Sequence, residues 1–124
     1  MKSAVFVLSD PKGGAEESLG RLFNALVLAK ESKRHGDEVA LVFAGAGTRW
    51  PGALAAPGHP ARALYDEVRD VVAGASCACA DVWGASEDVE ASGVPLLKDD
   101  DDPASPGPAS VRRYAAEGWS TFVF

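Results

Sequence analysis

The stretch AVFVLSDPKGGAEESLGRLFNALVLAKESKRHGDEVALVF, residues 4–43, sets a pattern that the rest of the chain repeats. It opens on a continuous apolar run, residues 4–8, the mark of a strand covered on both faces. Leu19, Leu22, Phe23 and Leu26 then recur at helical spacing within residues 15–34. Glu16 and Glu17 stand in the first turn and Lys33 and Arg34 in the last, which suits the helix dipole, and Gly36 stops the helix. Residues 38–43, EVALVF, return to a strand. Strand, helix and strand joined by short connections make a right-handed parallel unit.

Outward from this unit the alternation continues. Residues 45–51, GAGTRWP, form a loop in this reading. A second helix is predicted over 60–72, with Pro60 at its start, Leu64, Val68, Val71 and Val72 on one face, and Gly74 beyond its end. Residues 74–79 are predicted as the third strand or its outlet. Ser86 caps a short helix with Glu87 and Asp88 in its first turn, and residues 94–97 are a fourth strand. In KDDDDPASPGP, residues 98–108, adjacent acids repel and prolines deny a ladder or a helix, so a solvated loop is expected. A helix over 108–117 and a buried strand over 119–124 complete the pattern. The expected fold is α/β: three layers, αβα, around a mainly parallel five-stranded sheet of flavodoxin-like topology, with residues 1–124 as one domain.

The totals narrow the function classes. With 124 residues, 47% hydrophobic and 24% charged, the chain is an ordinary globular domain. No apolar run approaches the roughly 20 residues of a membrane span, and the run after Met1 is too short for a signal peptide. A cytoplasmic protein is expected. Net charge −6, from 12 basic and 18 acidic residues, argues against nucleic acid or an anionic membrane as partner. The two cysteines of such a chain are expected as reduced thiols.

In a parallel sheet, ligands bind beyond the carboxyl ends of the strands. Three segments are expected to meet there: residues 9–14, 45–50 and 77–81. Gly13 and Gly14 precede a helix N-terminus, a setting that can cradle phosphate, although Asp10, Glu16 and Glu17 oppose an anion and a plain tight turn competes. Gly45 and Gly47 allow close backbone approach; Thr48 follows, Arg49 offers an anion-binding fork, and Trp50 a stacking or packing face. Cys77 and Cys79 share one side if the segment is extended, among the small residues Gly74, Ala75, Ala78 and Ala80. The competing reading is two small buried hydrophobes. No metal and no cofactor is expected: Cys-x-Cys is tighter than zinc spacing, His35 and His59 sit at predicted surface positions, and the acidic run lacks the turn that builds a calcium cage. A receiver-like domain would need a lysine near the end of the last strand, and none is there.

SDPKGGAEESLGRLFNALVLAKE, then GDEVALVFAGAGTRW, then CACADVWGA, resembles the DsrE/DsrF-like family of small sulfur-relay-related α/β proteins over essentially the whole chain. The resemblance implies a three-layer parallel-sheet fold and homo-oligomers, often trimers or hexamers. It also implies sulfur carried as a persulfide on a cysteine in the third-strand region. Relatives commonly have a cysteine before the glycine that matches Gly84, often within C-x-x-C. Cys79 occupies the nearer position, and Ser76, with Cys77 beside it, the farther. The expected function is therefore a sulfur-relay-type, sulfurtransferase-like carrier with Cys79 first and Cys77 second, its partners being further copies of itself and sulfur donor and acceptor proteins. The alternative is a non-catalytic oligomeric module that holds a small anion or nucleotide-like ligand between Gly13-Gly14 and residues 45–47. Trp50, Leu54 and Trp83, placed in loops, are expected to be exposed and to mark a subunit interface.

Overall fold

A computed structural model describes the backbone of residues 1–124 and the side chains of all but Ala15. Five strands form one all-parallel sheet: β1 (Lys2–Val7), β2 (Glu38–Phe43), β3 (Val72–Ser76), β4 (Leu96–Leu97) and β5 (Ser120–Val123), in the order β4-β3-β2-β1-β5. The helices are α1 (Ala15–Arg34), α2 (Trp50–Leu54), α3 (Arg62–Val68), α4 (Cys77–Val82), α5 (Ser86–Ala91) and α6 (Val111–Ala116). Short 3₁₀ turns at Gly45–Arg49 and Arg69–Val71 lead into α2 and β3. Helices cover both sheet faces, as the alternation predicts. Among the described residues no helix is long and apolar enough to cross a membrane.

The strand order dictates how the layers fill. From β1 to β4 the chain steps in one direction, so right-handed crossovers place every intervening helix on one face. There Val5, Val7, Leu41, Phe43 and Ala75 of the sheet pack against Leu22 and Leu26 of α1, Trp50 and Leu54 of α2, Tyr65 and Val68 of α3, and Val89 of α5. The connection from β4 then reverses across the sheet to reach the far side of β1, so α6 lies on the opposite face. That second layer is thin: Ala4, Phe6 and Val42 are covered by Tyr114, Trp119, Ala109 and Leu97. The Tyr114 ring meets Phe6 and Trp119 edge to face, with centroids 5.6 and 5.3 Å away.

Several boundaries differ from the sequence expectation. The third strand runs Val72–Ser76, so Val71 and Val72 leave the helix predicted over 60–72, and Cys77 and Cys79 leave the strand predicted over 74–79. The GAGTRWP segment is helical rather than a loop. β5 is a half-exposed edge strand, not a buried one. Trp50 and Leu54 are buried in the main core, so they cannot serve as an exposed interface; Trp83 does remain exposed. The acidic loop is partly tied down: Asp99 accepts hydrogen bonds from the Ser110 backbone (3.0 Å) and from Arg113 (3.2 Å).

Gly47 and Gly20 separate two uses of glycine. A Cβ on Gly47 would sit on the Val7 carbonyl oxygen, where the 3₁₀ turn packs against the end of β1. A Cβ on Gly20, inside α1, would meet nothing within 4 Å. Gly47→Ala is expected to cost about 2–4 kcal/mol, because backbone must move. Gly20→Ala is expected to add roughly 0.5–1 kcal/mol by removing helix-interior glycine. Urea unfolding of the two variants beside the parent checks both signs.

Candidate functional site

The carboxyl edge of the sheet gathers the three expected segments. Beyond β1, Asp10 folds its chain into a tight turn: Oδ1 accepts from the Lys12 N–H (2.9 Å) and the carbonyl from the Gly13 N–H (3.0 Å). Gly14 follows at φ 99° as the residue before α1, open to solvent on its Cβ side. Beyond β2, the Ala44 N–H donates to the Val7 carbonyl (3.0 Å) and the chain turns at once into the 3₁₀ segment. Gly45, at φ 55°, lies against the Leu8 side chain. Thr48 is fully buried, and its hydroxyl donates to the Gly45 carbonyl (2.9 Å). The glycine and threonine positions of this turn thus serve its own closure and its packing on β1.

Arg49 and Trp50 then fasten the segments to one another. The Trp50 ring is buried, and its Nε1–H donates to the Ser9 carbonyl (2.8 Å). Arg49 donates from Nη1 to Asp10 Oδ2 (2.9 Å) and from Nε to the Trp83 carbonyl (3.2 Å), beyond the last turn of α4. Its guanidinium therefore ties the first loop to the second and caps the end of the thiol-bearing helix. Among the described residues no hydrogen bond joins Arg49 to either cysteine. The Lys12 N–H and, after it, Arg49 hold the Asp10 carboxyl below the ordinary carboxylate range, against an opposing desolvation. Asp10 and Trp83 were not singled out as partners of Arg49 in the sequence; the Asp-Pro-Lys-Gly turn is the local signal that marks Asp10 as a structured residue.

Cys77 and Cys79 open α4, immediately after β3. Both are free and half-buried. Two helical steps separate them by roughly 200°, so they point to different sides, contrary to the shared face that an extended segment would give. They do lie beyond the carboxyl end of the third strand, on a helix that packs against the 3₁₀ turn. The connection from β4 crosses the start of this helix: the Ala78 N–H donates to the Gly107 carbonyl (3.2 Å), and the Ser76 hydroxyl accepts from the Ala109 N–H (3.0 Å). Val82 and Trp83 at the far end of α4 are exposed apolar side chains. Beside them a groove of about 420 Å³ runs between Pro11, Lys12 and Arg49 on one wall and Trp83, Gly84 and Asp88 on the other. Gly13 and Gly14 do not line it. Among the described residues no group of three or more His, Cys, Asp or Glu side chains gathers to hold a metal.

The Asp10–Arg49 pair makes this edge pH-sensitive. A carboxyl whose folded pKa is lowered stabilises the fold above its unfolded pKa, and that contribution disappears as pH falls through the folded value. Asp10→Asn is expected to cost about 1 kcal/mol at neutral pH, a modest value because both side chains keep about a quarter of their surface in water (26% and 29%). The deficit should close as the parent is titrated downward from about pH 4. Thermal unfolding of both proteins across pH 2–8 measures it, and a gap independent of pH would show that the pair is not the cause. No family model, curated protein or solved structure matches the chain.

Proposed function

We propose that the chain is a sulfur carrier that holds sulfane sulfur as a persulfide on Cys79, with Cys77 as the accessory thiol. The observation that supports this reading is the pair of free, partly accessible thiols on α4, at the sheet edge where parallel α/β proteins bind ligands. The carrier step needs no redox partner. The Cys79 thiolate attacks the outer sulfur of a donor persulfide, a new S–S bond forms at Cys79 as the donor's S–S bond breaks, and the donor leaves as a thiolate. The reverse exchange delivers the sulfur to an acceptor thiolate. The exposed Val82 and Trp83 at the end of the same helix offer an apolar landing for such protein partners. Cytoplasmic residence and assembly as a trimer or hexamer follow from the same reading, through the resemblance to the DsrE/DsrF-like family.

The second reading is a non-catalytic module for a small anionic or nucleotide-like ligand. The groove lined by Lys12, Arg49, Trp83 and Asp88 supports it, with Lys12 as the cation and the Trp83 indole beside it, Arg49 being already paired with Asp10.

Intact-mass measurement after incubation with a persulfide donor separates the two. The carrier reading expects a mass gain of one sulfur atom, lost in Cys79→Ser and kept in Cys77→Ser, and alkylation of the native protein by iodoacetamide. No sulfur gain, with thiols that react only after unfolding, would turn the assignment to the groove.

A further inference from the structure

β5 is a strand edge built to be covered. In a parallel ladder, alternate residues direct both backbone groups to the neighbour. The Phe124 N–H donates to the Phe6 carbonyl (2.8 Å) and the Phe124 carbonyl accepts from the Leu8 N–H (2.7 Å), so residues 120, 122 and 124 face β1. Thr121 and Val123 therefore turn their N–H and C=O groups outward, and among the described residues no hydrogen bond reaches them from outside the sheet. The opposite edge, β4, is protected by being two residues long and by following Pro95. β5 is twice as long and lacks the other safeguards: its sequence STFV carries no charge, no proline and no bulge.

Part of the exposed apolar surface lies on the same border. Of the large side chains left exposed, Val123 (59%), Leu8 (42%) and Val27 (50%) lie on β5, just after β1, and on α1. Val27 is one turn from Glu31, which together with Leu28, Ser3 and Phe122 lines a groove between α1 and the β1–β5 face. Among the described residues Ser3 Oγ, buried in that groove, has no hydrogen-bond partner. The helix layer thus stops short of β5 and leaves the border both apolar and open.

We infer that a second copy of the chain pairs with this edge, β5 antiparallel to β5 across a two-fold axis, so that the two sheets become one. The edge is self-complementary in that arrangement. With the axis at Phe122, Thr121 of each copy stands opposite Val123 of the other, and each such pair exchanges both N–H···O bonds. Phe122 then faces Phe122 of the partner subunit on the side of α1, and the Thr121–Val123 pairs face each other on the side of α6, both favourable cross-strand neighbours. No charge on the strand meets its own copy, although each chain carries net charge −6. The four strand residues are too few for the roughly 1,200 Å² of a stable interface, and Leu8, Val27 and Leu28 extend it. The inference rests on the edge alone and does not depend on the sulfur-carrier reading.

Light scattering at micromolar concentration is expected to return an even multiple of the chain mass, which a hexamer meets and a trimer does not. Val123→Pro removes an outward N–H and spares the bonds to β1; it should weaken the association by about tenfold or more while circular dichroism stays unchanged. Should that variant fail to fold, Val123→Lys, which places like charges across the seam, is read instead. Register is tested by Phe122→Cys in a Cys77→Ser/Cys79→Ser background, which should form a disulfide-linked dimer on mild oxidation. A monomeric parent, or an oligomer that neither edge variant weakens and that yields no Phe122→Cys dimer, would overturn the inference. Persulfide loading, measured separately on the parent, reports on the carrier reading whichever way this falls.

Discussion

The Val7 carbonyl is the point on which the carboxyl edge of the molecule depends. It accepts the Ala44 N–H at 3.0 Å, and its oxygen occupies the place where any side chain at position 47 would begin. Only a residue without a Cβ lets the 3₁₀ turn lie this close to the end of β1. From that seat the next residues acquire their directions: Thr48 into the interior, Arg49 to Asp10 and the end of α4, Trp50 down onto the core with its indole N–H on Ser9. Loops that would otherwise be three independent segments become one surface, held by backbone contact first and by charge second.

What the chain discloses about this arrangement depends on how strongly each segment is patterned. The 20-residue α1 has apolar residues at helical spacing, acids first and bases last, and it lies where the pattern puts it. The border between β3 and α4 is different. Residues 74–80 are Gly, Ala, Ser and Cys, small enough to suit either a pleated surface or a helix, so periodicity is silent there. Alanine's helix preference and the β-branched Val72 settle the matter, shifting the strand toward the N-terminus and carrying both thiols onto the helix. Trp50 and Leu54 show a related limit. Their neighbours, Pro51 and Gly52, signal a loop, and only the tertiary fold, with α5 packed alongside, shows a one-turn helix buried in the core. The pairing of Arg49 with Asp10 was beyond reach for the same reason, since the two are joined only once both loops have turned. The strand order lies outside local pattern altogether, because alternation specifies parallel neighbours but not which side each successive strand takes.

The layers also bear on where chemistry can take place. Five helices crowd one face, and the other has α6 and the connection that leads to it. That connection passes over the first turn of α4, with Gly107 and Ala109 bonded to the segment that presents the thiols. Access to Cys77 and Cys79 is consequently shaped by two layers at once: the 3₁₀ turn from one face and the acidic connection from the other.

The position of β5 has a consequence for how the chain comes together. Its partner is β1, with Ser3 beside Ser120 and Phe6 beside Val123, the most sequence-distant pairing in the sheet. β1, α1 and β2 follow one another within residues 2–43, so their contacts are local. The outer edge of β1, and the cover of Tyr114 over Phe6, depend on residues 114–123 returning to it. Loop closure over that span carries the largest entropic cost of any pairing in the sheet. Without β5 the sheet would end on β1 itself, so the apolar strand that anchors both layers is also the one that stays an open edge until β5 closes over it.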